Sequence, residues 1–313
     1  MSTVTPPAAC RVLVTGGGGF IGGHLCRALQ AGGADVQAWV RPGSGAARRA
    51  WLPGVDVQEV DVRDEAALAS AIERRPPDRV FHLAGIRLIG NHAGNLATMF
   101  QTQVQGTLHL LKCLRPEVRV VVAGSCEEYG PAATPFDEQR PALAQTSYAV
   151  SRLAATLACL SLAAPAVCVA RLSVVYGPQQ VGEMFIPSLL SACAAGREFS
   201  MSSGEQTRDF LYVDDAVRAL MMLAETPAAM QQVVNVGSAV ECTVRQVAEH
   251  AARLAGHADW LRIGAIPSRP GEASRYVCAI DRMRQLTGWQ PQVGLEEGLA
   301  RTLAWWREQQ SAA

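Results

Sequence analysis

Val12-Leu13-Val14-Thr15-Gly16-Gly17-Gly18-Gly19-Phe20-Ile21-Gly22 is the stretch that decides the fold of this chain. A short apolar run, read as a strand over Arg11–Thr15, passes directly into a glycine-rich turn. A helical pattern follows over His24–Ala31. Glycines at these spacings permit a tight turn, close approach of a pyrophosphate to backbone N–H groups, and close packing of helix on strand. Two registers are open, Gly17-x-Gly19-x-x-Gly22 and Thr15-Gly16-x-x-Gly19-x-x-Gly22. Such a motif is weak alone. Here it comes first in the chain, between a strand and a helix, which is the context it needs.

The same rhythm continues outward. Short apolar runs at Val36–Val40, Val55–Val60, Arg79–Leu83, Val118–Ala123, Ala166–Leu172 and Val233–Val236 alternate with helical stretches. That alternation predicts right-handed βαβ units and an α/β fold, a Rossmann-like doubly wound parallel sheet. After Leu172 the pattern loosens, and the chain closes on a helix from Leu295 to Gln309. The expected division is a dinucleotide-binding domain over 8–172 and 206–238, with a smaller C-terminal α/β substrate lobe over 173–205 and 239–310.

Composition narrows the function. The chain has 313 residues, 49% of them hydrophobic, and 28 basic residues balance 28 acidic ones. No basic excess exists to drive binding to nucleic acid or an anionic membrane. The most apolar run, Leu157–Ala170, is interrupted by Ser161 and Pro165 and is too short to span a bilayer. Met1–Cys10 lacks the basic and apolar regions of a signal peptide. Nine scattered cysteines include no CxxC pair, which argues against a zinc ribbon or a disulfide framework. A cytoplasmic protein without a metal site is expected. Lys112 is the only lysine, so any lysine chemistry rests on it or does not occur.

The second glycine register resembles that of the extended short-chain dehydrogenase/reductase family, the NAD(P)-dependent epimerases, dehydratases and ketoreductases of nucleotide sugars. The resemblance runs along nearly the whole chain: Asp61-Val62, His82-Leu83-Ala84, Gly106-Thr107, Ser125 with Tyr129-Gly130, Tyr148, Arg171 to Pro178, Arg208-Asp209-Phe210 with Tyr212-Val213-Asp214-Asp215, Arg269-Pro270-Gly271-Glu272 and Gly288-Trp289-x-Pro291. It implies cofactor contacts at Gly16, Gly19, Phe20, Ile21, Gly22, Asp61, Val62, Leu83, Ala84, Tyr148, Arg152 and Ser173. It further implies that Arg208 and Arg269 clamp the diphosphate of a nucleotide-sugar substrate, a task suited to forked, charge-assisted contacts.

In that family a tyrosine and a lysine stand four residues apart on one helix, sharing a face. The tyrosine is general acid/base and the serine polarises the sugar carbonyl. Here Tyr148 is followed by Arg152 in place of the lysine. The positive charge is retained, and about 4 Å from a phenolate it is worth roughly 4 kcal/mol at an effective dielectric near 20. The geometry changes, because guanidinium is a planar fork that does not release its proton. Arg152 is therefore either a working substitute or the mark of a site that has lost its chemistry. Glu127, two places after Ser125, stands where dehydratases of the family carry the residue acting at sugar C5. Cys126 replaces the acid that precedes it in many of them. A solvated loop glutamate is the plain alternative for Glu127. Gln103 replaces the asparagine expected three residues before Gly106, and Val174 replaces one before the Val-Tyr-Gly-Pro segment.

Cofactor choice rests on the end of the second strand, where NAD-binding folds place a carboxylate. Here the strand ends Trp39-Val40-Arg41. Arg41, with Arg48 or Arg49 beside it, suits a 2′-phosphate, so NADP is expected and NAD is the alternative. Reduction or epimerisation at C4 is the expected reaction, with a 4,6-dehydratase using Glu127 and an inactive cofactor-binding scaffold as alternatives. The run Leu153–Leu162 is apolar almost all round, which points to burial on two sides and a homodimer.

Overall fold

The structure is a computed structural model that describes residues 10–44, 49–131, 134–268 and 273–311. The expected strands form one seven-stranded sheet. Its members are β1 (Arg11–Thr15), β2 (Asp35–Val40), β3 (Asp56–Glu59), β4 (Arg79–His82), β5 (Arg119–Ser125), β6 (Ala166–Leu172) and, after three strands outside it, β10 (Gln232–Val236). The order is β10-β6-β5-β4-β1-β2-β3. Every pairing is parallel. Helices cover both faces, which is why β5 and β6 are buried almost end to end and read as continuous apolar runs. The strand order turns back between β1 and β4, so the loops after these two strands open the crevice where such sheets bind ligands.

Local chemistry fixes the helices that frame this crevice. Thr146 caps the helix Ser147–Ser161, its Oγ1 accepting from the Ala149 N–H at 3.1 Å. Asp64 does the same for Glu65–Arg74. The helix Phe20–Ala31 begins at the turn itself, four residues earlier than its periodicity suggests. Gly22 and Gly23 hide that start because they are poor helix formers. Close packing demands them: a Cβ on Gly22 would lie 2.2 Å from the Gly16 carbonyl oxygen, and one on Gly23 would strike the Trp51 ring.

The remaining strands are β7 (Val174–Tyr176), β8 (Phe199–Met201), β9 (Thr207–Tyr212), β11 (Glu241–Thr243), β12 (Leu261–Ile263) and β13 (Arg275–Tyr276). β9 pairs with β7, β11 and β13 in a smaller sheet, while β8 and β12 form a ribbon. Within the expected segment 206–238, therefore, β10 joins the large sheet and β9 the small one. The helices Phe185–Ala194, Val244–Ala255 and Leu295–Ser311 pack on one another beside the ribbon. No helix among the described residues is long and apolar enough to cross a membrane.

Candidate active site

The glycine turn resolves its own register. Gly16 sits at φ +69°, and a Cβ there would lie 2.8 Å from the Ala84 nitrogen and the Leu83 carbonyl carbon. Gly19 is the N-cap of the helix, with no side-chain cap, and its N–H donates to the Gly16 carbonyl at 2.9 Å. Gly16, Gly19 and Gly22 thus form the cradle, while Gly17 is needed for packing against the Ala38 methyl. Phe20 and Ile21, in the first helical turn, pack half-buried on the core. The helix end is left to a ligand by the absence of a capping side chain.

The flank of the cradle is polar and charged. Asp61 is held by Arg63, whose Nη2 lies 2.6 Å from Oδ2; this bond holds the Asp61 carboxyl below the usual carboxylate range. The buried Val62 lies under Gly106. Arg41 is exposed just after β2. Glu59, last in β3, is paired in register with Val40, and its Oε2 accepts from the Gly43 N–H at 3.0 Å. A search confined to the end of β2 misses this carboxylate, because the neighbouring strand supplies it. Arg48 lies outside the described residues, and Arg49 donates to the Val57 carbonyl at 3.2 Å.

Beneath the cradle runs a buried chain of hydrogen bonds. The Thr15 hydroxyl meets His82 Nδ1 at 2.7 Å, and His82 Nε2 meets the Thr107 hydroxyl at 2.9 Å. The Thr107 hydroxyl donates to the Gln103 carbonyl at 2.5 Å. That last bond uses the Thr107 proton, so His82 donates from Nε2 and accepts at Nδ1. Burial, with the Arg152 charge adding to it, pushes the imidazole down to about 3 and keeps it neutral. The chain ties the glycine turn to the π-helical turn Gln101–Gln105.

Gln103 stands in that turn. Its Nε2 donates to the Ile86 carbonyl at 2.9 Å and to the Ser151 hydroxyl at 3.2 Å, while its Oε1 is buried without a partner. Ser151 in turn donates to the Tyr148 carbonyl at 2.7 Å. One turn along the helix, Arg152 Nε donates to the Tyr148 hydroxyl at 3.3 Å and Nη1 donates to the Ala123 carbonyl at 2.9 Å. The guanidinium fills the space over Gly85, where a Cβ would lie 2.3 Å from Nη2. Ser125, two residues beyond Ala123, ends β5 and is 8% exposed. Its Oγ accepts from the Glu127 N–H at 3.2 Å.

Two adjacent acids part company here. Glu128 is fully buried, bonded to Arg171 at 2.8 Å, to Thr156 at 2.9 Å and to the Ser125 N–H at 2.8 Å. It is the foundation under Ser125. Glu127 stays at the surface of the site and forms an ion pair with Arg87. Arg87 also lies over the Tyr148 ring, 5.0 Å from its centre, with Arg152 5.4 Å from the same centre. Sequence reasoning did not single out Arg87, Glu128 or Gly85. Ser173 is buried, and its hydroxyl has no partner. Lys112 pairs with Glu65 on the surface at 2.5 Å.

On the other side of the crevice, Arg208 Nη1 donates to the Thr207 carbonyl at 2.7 Å and to the Ala273 carbonyl at 3.0 Å, and the group stacks 5.2 Å from the Tyr276 ring centre. Arg269, its expected counterpart, lies outside the described residues, as do Pro270, Gly271 and Glu272. Asp209, beside Arg208, is turned inward: it accepts from Ser238 N–H and hydroxyl, both at 2.6 Å, and braces that turn.

These residues fit a nicotinamide dinucleotide. The cradle excludes any Cβ, the helix end above it is uncapped, and Ser173 offers a buried hydroxyl without a partner. Known proteins resemble the chain along its length. It is 32% identical to a UDP-glucose 4-epimerase of Mycolicibacterium smegmatis, over 95% of this chain and 98% of that protein. It is also 32% identical to a dTDP-4-dehydro-6-deoxy-D-allose reductase of a Streptomyces species, over 95% and 96%. Among solved structures it resembles DesIV, a dTDP-glucose 4,6-dehydratase of Streptomyces venezuelae with NAD and TYD bound, at 28% identity and a TM-score of 0.87 over 96% and 98% of the two chains. Residues 12–237, from the first strand to the turn after β10, match the model of the NAD-dependent epimerase/dehydratase family, and the chain belongs to that family.

Proposed function

We propose that this protein transfers hydride at C4 of a nucleotide-activated hexose, with reduction or epimerisation of a 4-keto sugar as the outcome. The observation that carries this reading is the pair Tyr148–Arg152, bonded to each other and anchored on Ala123 two residues before Ser125. A bound nicotinamide supplies or accepts the hydride. Tyr148 moves the proton at the C4 oxygen, and the Ser125 hydroxyl holds that oxygen. Arg152 holds the Tyr148 hydroxyl through Nε and offers its remaining N–H groups to the nicotinamide ribose. Arg208 and Arg269 hold the substrate diphosphate. The 4,6-dehydratase reading is weaker, because Cys126, in the place where many such enzymes carry an acid, is a thiol only 4% exposed. The inactive-scaffold reading loses ground to the bond between Arg152 and Tyr148.

NADP(H) is the preferred cofactor in this proposal, with Arg41 on the 2′-phosphate; Glu59 at the same corner is the feature that favours NAD. The protein works as a homodimer. Leu157 is 60% exposed on the helix Ser147–Ser161, and Leu108 is 37% exposed on the adjacent helix Gly106–Cys113, an apolar face suited to a second copy. The deciding experiment follows nicotinamide absorbance with 4-keto-sugar nucleotides and NADPH or NADH. Turnover by the parent supports the proposal. A parent that is inert, beside an active Arg152→Lys variant, would establish a decayed site instead.

A further inference from the structure

Arg87 is not among the residues that the glycine turn, the Ser–Tyr pair or the diphosphate clamp call for. It lies on the loop after β4, and two contacts place it in the reaction centre. Its Nη1 pairs with Glu127 Oε1, and its guanidinium lies 5.0 Å from the centre of the Tyr148 ring. The Glu127 side chain is 19% exposed and that of Arg87 52%, so only the carboxylate end of the pair is shielded from water. The main chain at Glu127 is fixed as well. Its N–H is held by Ser125 Oγ, and its carbonyl accepts from the Gly130 N–H at 3.1 Å.

A carboxylate serves as a base only where a lone pair can reach the proton. A guanidinium N–H donating to a carboxylate oxygen occupies a lone pair that would otherwise be open to that proton, and holds the carboxylate in place. We propose that Arg87 is a specificity-determining residue: by pairing with Glu127 it withholds that carboxylate from the proton at sugar C5 and confines the site to chemistry at C4. The inference rests on the nucleotide-sugar reading above. The withheld step is fully specified. In a 4-keto sugar the C5–H bond breaks, its proton passes to Glu127, and the electron pair moves to the C4 oxygen, which takes a proton from Tyr148. Reversal returns a solvent proton to C5. No oxidant or reductant is consumed.

The step is read as deuterium incorporation at C5. The full chain with NADP is incubated in heavy water with dTDP-4-keto-6-deoxyglucose or the corresponding GDP-linked 4-keto sugar, and C5 is followed by proton NMR. The parent should exchange C5 far more slowly than it reduces C4. Arg87→Gln should raise exchange by about 10-fold or more, a fraction of what a placed general base supplies. Arg87→Lys should stay near the parent, because the pair is kept. Arg87→Gln with Glu127→Gln should return to the parent level, which a merely structural role for Arg87 would not produce. Equal exchange by Arg87→Gln and the parent overturns the proposal, as does a double variant that keeps the raised rate. Turnover at C4 is read separately by nicotinamide absorbance with NADPH. If no chain shows turnover, the C4 reading fails on its own, while the exchange comparison, which needs no hydride transfer, still tests Arg87.

Discussion

Replacing Gly85 by alanine should cost activity without costing stability. The new Cβ would lie 2.3 Å from Arg152 Nη2 and 3.1 Å from Cζ. Ordinary contact is about 3.5 Å or more, so the guanidinium must retreat by roughly 1 Å. It cannot do so and keep both anchors, the 3.3 Å bond to the Tyr148 hydroxyl and the 2.9 Å bond to the Ala123 carbonyl. A hydrogen bond to a charged group contributes about 1.5–3 kcal/mol. Losing one in the transition state slows the reaction about 10- to 100-fold, at roughly 1.4 kcal/mol per decade. The fold itself is spared, since the obstacle is the far end of a flexible side chain. Gly85 is not among the described glycines with positive φ, so alanine there should even stabilise the chain by up to about 1 kcal/mol. Turnover of a 4-keto-sugar nucleotide and the thermal midpoint should therefore move in opposite directions. Lysine lacks the Nη2 branch, so Gly85→Ala with Arg152→Lys should recover much of the loss. A Gly85→Ala variant at the parent rate would refute the role given to Arg152. So would a parallel fall in activity and midpoint, which would mean that the backbone gives way instead.

The other expectations concern cofactor, pH and assembly. Arg41→Ala should weaken NADP more than NAD in calorimetric titration; equal losses would remove Arg41 from the 2′ site. His82, pushed from 6.5 to about 3 in the fold, refuses a proton that the unfolded chain accepts. Its contribution is therefore complete above about pH 6.5 and is lost as pH falls towards 3, by about 1.4 kcal/mol per pH unit. Urea unfolding of the parent and of His82→Gln should differ in pH slope by that amount, and equal slopes would show that His82 does not set it. Leu157→Arg should convert a dimer into a monomer by light scattering while leaving the fold intact; a parent that already runs as a monomer sinks the dimer.

The large sheet was legible because its strands are covered on both faces, so burial writes itself into the sequence as unbroken apolar runs such as Val120-Val121-Val122. The small sheet was not. β7, β11 and β13 in that sheet, like β8 and β12 in the separate ribbon, have two or three residues each, and their pairings join distant parts of the chain. The helix Phe20–Ala31 was legible only from His24 onward, since tertiary contact demands glycines where propensity disfavours them. In the proposed site, Ser125, Tyr148 and Arg152 were legible through resemblance to short family motifs, each lying within one element. Glu127 was singled out by its place two residues after Ser125, but nothing in the sequence marked Glu128 as the buried one of the two acids. The capping box at Ser125, which draws Glu128 inward onto Arg171, separates them. Arg87 left no trace, because a loop residue reaches Glu127 and Tyr148 only through the fold.

The exchange of lysine for arginine is best understood through what the guanidinium must satisfy at once. A lysine ammonium is a compact charge on a flexible stem and needs one direction only. Arg152 is a flat fork. Its Nη1 is spent on the Ala123 carbonyl, its Nε points at the Tyr148 hydroxyl, and its Nη2 reaches the space that a side chain at 85 would fill. Any two of these conditions fix the plane of the group, and the third is then met only if residue 85 has no Cβ. The same carbonyl ties the tyrosine-bearing helix to β5, two residues before the serine. Tyr148 and Ser125 are thereby referenced to one strand, which is the registration that the proposed proton movement at a single oxygen requires. Under the proposed function Arg152 and Gly85 are therefore expected to act as a pair, each substitution making the other tolerable or intolerable.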